Sequence, residues 1–68
     1  MILVFAASFE QVCIHFAGPP IHEWKYVESI QDVRGWSNAE ILDLGGWQSD
    51  PKKVEAWDVI HIQRGDNG

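Results

Sequence analysis

The chain has 68 residues, ten acidic and five basic, so it carries a net charge of −5 and has room for one small domain. That charge repels a phosphate backbone, which excludes direct nucleic-acid binding, and the acids never form a run of three, which argues against imitation of DNA. Cys13 is the only cysteine and cannot close a bridge within its own chain, which fits a reducing, cytoplasmic setting; His15, His22 and His61 follow no metal-ligand spacing, so no metal or other cofactor is expected.

The apolar run at residues 2–7 lacks a basic leader segment and is broken by Glu10 and Gln11 well short of a membrane span. It is read as a strand covered on both faces, the central one of a parallel sheet. Ser8 and Gln11 then form a capping box that opens a helix. Phe9, Val12, Cys13 and Phe16 follow i, i+3, i+4, i+7 spacing and predict one buried face, with Cys13 as core filler, and Gly18-Pro19-Pro20 supplies the stop.

Residues 23–27 alternate aromatic and β-branched side chains as an edge strand does, with Lys25 pointing outward. Ser29 is placed to cap a short helix that buries Ile30 and Val33 and ends at Gly35. Residues 40–44 read as a third strand ended by Gly45-Gly46, and Asp50-Pro51 as the cap and first position of a last helix carrying Val54, Trp57 and Ile60 or His61 inward. Residues 58–62 also alternate and offer a fourth strand as the alternative; residues 65–68 form a polar tail.

Three strands separated by helices give an α/β domain over residues 1–64, a minimal three-stranded parallel sheet in β-α-β-α-β-α order that amounts to half of a Rossmann-like fold. With the most apolar strand central the spatial order is 2-1-3, and 1-2-3 satisfies the same handedness rule. Ligands in such sheets collect at the carboxyl ends of the strands, which puts Ser8 and Phe9 beside Asp43, Gly45, Gly46, Trp47 and Gln48 as a candidate ligand crevice. The residues after the first strand form neither phosphate-loop pattern, which speaks against ordinary nucleotide binding.

Tyr26-Val27-Glu28-Ser29, Asp32-Val33-Arg34-Gly35 and Ile41-Leu42-Asp43-Leu44-Gly45-Gly46-Trp47 resemble, over roughly residues 1–60, small uncharacterised α/β proteins of actinobacterial bacteriophages. The last segment also looks like the strand that carries the metal-binding aspartate of terminase and helicase ATPases. Here Asp43 lies inside the strand, no acidic pair follows it, and the phosphate loop is missing. The resemblance implies a stripped ATPase-like core without ATPase chemistry.

No nucleophile and base stand in a recognisable catalytic setting: Ser8, Ser29, Ser37, Ser49 and Cys13 lack one, and the expectation is a non-enzymatic protein. Four tryptophans are too many for so thin a core to bury completely, and tryptophan and arginine anchor interfaces. The expected function is therefore that of a phage accessory or host-interaction protein binding a host or phage protein through Trp36, Arg34 and Trp24, with no direct contact to nucleic acid or membrane. A homodimer is the related possibility, and a nucleotide-like small ligand in the crevice is the alternative function.

Overall fold

The computed structural model describes residues 1–17 and 23–65; the stop at Gly18-Pro19-Pro20, His22 and the tail beyond Gly65 lie outside the described residues. The elements are β1 (Ile2–Ala6), α1 (Phe9–His15), β2 (Trp24–Tyr26), a 3-10 turn (Ile30–Asp32), β3 (Glu40–Gly45) and α2 (Pro51–Gln63). Both neighbours pair parallel to β1, in the order β2-β1-β3. The 2-1-3 arrangement thus follows from the apolar character of residues 2–7: Leu3, Val4, Phe5 and Ala6 are completely buried, and only a central strand loses water on both faces.

Ile2 is level with Trp24 on one side and with Glu40 on the other. The β1–β3 register shifts between Phe5 and Ala6, whose partners are Asp43 and Gly45, so β3 carries one extra residue at its carboxyl end. Strand alternation sorts the core into two layers. Leu3 and Phe5 pack with Val27, Val33, Ala39, Trp47, Ala56 and Ile60 beneath α2 and the 3-10 turn, whereas Val4 and Ala6 pack with Val12 beneath α1. The first helix and the two later helical segments therefore lie on opposite faces.

Local chemistry sets the helix ends. The Ser8 hydroxyl accepts from the Gln11 amide at 3.3 Å, while the Gln11 side-chain oxygen reaches one residue further back than expected, to the Ala7 amide at 3.0 Å. The Asp50 carboxylate accepts from the Lys52 amide at 3.0 Å with Pro51 at the first helical position, and the helix then runs unbroken through residues 58–62, which removes the fourth-strand alternative. The short helix expected after Ser29 is a single 3-10 turn, held by the Asp32 carboxylate, which accepts from the Glu28 and Ser29 amides at 2.8 and 3.2 Å. Lys25 only partly turns outward: its ammonium lies 3.6 Å from the same carboxylate.

The face assigned to α1 needs correction. Of its four spaced residues only Val12 is buried; Phe16 is half-buried, Phe9 is 55% exposed, and Cys13 stands in solvent instead of filling the core. The spacing is helical as expected, but seven residues make too short a cylinder to cover a three-stranded sheet.

Candidate functional site

The crevice at the carboxyl ends of β1 and β3 is built around Lys53, which the sequence reading passed over. Lys53 sits in the first turn of α2 and is only 5% exposed. Its ammonium donates to the Ala6 carbonyl at 3.0 Å, the Ala7 carbonyl at 3.2 Å and the Tyr26 hydroxyl at 2.6 Å, so all three protons are used. At 2.6 Å from the phenol oxygen and 4.9 Å from the ring centre, the ammonium lies beyond the ring's edge, which makes this a hydrogen bond and not a face-on cation–π contact. The more exposed Asp50 carboxylate stands 3.9 Å away. A signal was present: Lys53, Ala56 and Ile60 recur at i, i+3, i+7, and all three are buried.

The residues expected to hold a ligand do meet at this end of the sheet, and part of their polar groups is engaged within the chain. One Asp43 oxygen accepts from the Gly45 amide at 2.8 Å and from the Trp47 indole N–H at 2.7 Å. Trp47 is 5% exposed, stacked 4.9 Å from Trp57 and tilted against Phe5 at 5.4 Å, so its ring belongs to the core and is not open for stacking on a ligand. Gly45 and Gly46 both have φ of +78°, and a Cβ on Gly46 would stand 3.0 Å from that of Ala7, so backbone closes the gap between the two strand ends. Ser8 is occupied as a cap, Gln48 is exposed, and Phe9 turns away to meet Trp24 and Tyr26 at 6.0 and 5.8 Å. Among the described residues, no three His, Cys, Asp or Glu side chains come together as metal ligands would.

The residues expected to bind a partner are split between two faces. Trp36 is 37% exposed beside Arg34, also exposed, and borders a hollow of about 300 Å³ with Met1, Gly35, Asn38 and Ala39, at the amino-terminal end of the sheet. Trp24 lies instead in the α1 layer, its ring stacked 5.1 Å from Phe16 at an angle of 6°.

Around Trp24, one of the residues expected to bind a partner, the structure gathers Phe9 and Phe16, which their helical spacing assigned to the core. Phe9 leans on Trp24 and Tyr26, Phe16 stacks on Trp24, and Ile14 is 68% exposed. These ring contacts all fall on β2; on the other side of the same face, Leu42 and Leu44 of β3 are only half-buried. An open depression of about 310 Å³ runs along the start of α1, lined by Ala7, Ser8, Glu10, Gln11 and Ile14. Phe9, Phe16, Trp24 and Tyr26 thus form one cluster of rings over β2, and a cluster of this kind marks an interaction surface more often than an isolated exposed leucine does. No helix among the described residues is long and apolar enough to cross a membrane. Comparison with protein-family models, with curated proteins and with solved structures gave no match, so the functional reading rests on the residues of this chain.

Proposed function

We propose that this protein is a non-enzymatic binding module that docks another protein through its α1 face, as an accessory or host-interaction protein of a bacteriophage would. The observation that carries the reading is the failure of α1 to cover its own side of the sheet: it buries Val12, leaves Phe9 open to solvent against Trp24 and the Phe16–Trp24 stack, and leaves Ile14 exposed. Aromatic side chains held rigid by stacking contribute large contact area at low entropic cost, and such residues dominate interface energetics. Trp36 and Arg34, on the other face, are the second anchor of this reading. Small-ligand binding in the crevice has less support, because Lys53 spends all three of its protons within the chain, one Asp43 oxygen is held by Gly45 and Trp47, and the Trp47 ring is buried.

The test is site-specific photocrosslinking in the cell that expresses the protein. Benzoylphenylalanine at position 9 is expected to trap one discrete partner, while the same group at position 55, on the solvent side of α2, traps none. Equal labelling from both positions, or none from position 9, overturns the reading.

A further inference from the structure

The two edges of the sheet are built differently. β2 is three residues long and carries Lys25, and a short strand with a lysine is one way in which natural sheets discourage further pairing. β3 has six residues with neither lysine nor proline among them, and no strand among the described residues lies beyond it. None of its residues is buried, although Ile41, Leu42 and Leu44 are all apolar. The Glu40 amide donates to the Met1 carbonyl at 3.1 Å and so faces β1; Leu42, two positions on, faces the same way. The N–H and C=O groups of Ile41 and Asp43 therefore point out of the sheet. This open row has closed ends: the Ala39 amide donates to the Trp36 carbonyl at 2.9 Å, and the Gly45 amide to the Asp43 carboxylate at 2.8 Å.

Such an edge is complementary to itself in one register. Two identical edges related by a two-fold axis pair antiparallel, and residues that point outward must meet residues that point outward. An axis through Leu42 sets Ile41 against Asp43 of the second copy and Asp43 against its Ile41, so that each pair exchanges both N–H···O bonds. Moving the axis either way brings Ala39 or Gly45 into the row, and both amides are already engaged. The same register sets Leu42 against Leu42, as a pair without hydrogen bonds whose side chains approach most closely, and Glu40 against Leu44. Each carboxylate then stands opposite an apolar side chain, and that of Asp43 is drawn toward Gly45, away from the axis. We infer that the protein pairs with a second copy of itself, β3 against β3 about Leu42, so that the two sheets become one. Leu42 and Leu44 gain cover on the α1 side and Ile41 on the α2 side. The contact leaves the ring cluster over β2 free, and the inference goes beyond the docking reading without depending on it.

Analytical ultracentrifugation of the purified chain is expected to show reversible conversion from 7.7 kDa to twice that mass as concentration rises. Leu42→Lys and Leu42→Glu are each expected to weaken self-pairing at least about tenfold and to pair with one another when mixed, because this register sets position 42 against itself. Position 42 is half-buried, so a disulfide trap gives a second measurement that does not depend on those variants folding. In a Cys13→Ser background, Leu42→Cys is expected to oxidise to a covalent dimer, whereas Leu44→Cys, whose two copies lie at opposite ends of the paired segment, is not. A chain that stays at 7.7 kDa up to its solubility limit overturns the inference. So does a dimer that is not trapped through position 42, that is trapped as readily through position 44, or whose folded Lys and Glu variants fail to pair with each other. Crosslinking from position 9 decides the docking reading separately in every case.

Discussion

Cutting Lys53 back to alanine leaves the Ala6 and Ala7 carbonyls and the Tyr26 hydroxyl without their shared donor and opens a void at the head of α2. Lys53→Ala is expected to cost about 2–4 kcal/mol, and Lys53→Met, which keeps the stem, about 1–2 kcal/mol, both read from urea unfolding. A change within 0.5 kcal/mol, about the noise of a surface substitution, counts against a structural role for this ammonium. The adjacent glycines separate two costs that are usually confounded. Both sit at φ of +78°, but a Cβ at position 45 meets nothing within 4 Å, whereas one at position 46 meets Ala7 at 3.0 Å. Gly45→Ala is therefore expected to lose about 1 kcal/mol to backbone strain alone, and Gly46→Ala clearly more; the reverse order counts against closure of the crevice by that contact.

At the level of single elements, the ends and partners of the strands were legible in the sequence because they depend on local chemistry: Ser8 and Asp50 have the side chains that caps need, and the apolar run at residues 2–7 could only be central. What was not legible was how completely each face is covered. Helical spacing identifies a stripe on α1 but cannot say whether the neighbouring layer is wide enough to cover it, which is why Phe9 and Cys13 were assigned to the core and stand in solvent. Trp47 erred the other way: after two glycines it reads as a loop residue, yet its indole N–H finds Asp43 four positions back and its ring enters the core. The same asymmetry predicts the behaviour of α1. Val12→Ala is expected to destabilise by about 1–3 kcal/mol, whereas Cys13→Ser is expected to be neutral within about 0.5 kcal/mol, and the Cys13 thiol to react with a disulfide reagent in the native protein without prior unfolding. A thiol that reacts only when the protein is denatured restores the core assignment.

For the molecule as a whole, coverage divides along the plane of the sheet: one side is closed by α2 and the 3-10 turn, and the other is covered only in part by the seven residues of α1. Few small domains have apolar area to spare, so a chain of this length that leaves Phe9 and Ile14 in water forgoes part of its own stability. Ile14→Ser is accordingly expected to leave the thermal midpoint unchanged within the precision of a scan, while abolishing crosslinking from position 9 to any partner. A fall of several degrees instead indicates that Ile14 supports the fold. The sheet order has a further consequence that concerns time. β1 precedes both of the strands between which it lies; α1 and β2 can cover Val4 and Ala6 as soon as they are made, but the face that carries Leu3 and Phe5 is not closed until α2 has followed β3. The nascent chain therefore carries the Leu3 and Phe5 face of its most apolar strand open until α2 is synthesised, and the larger of the two core layers forms only then.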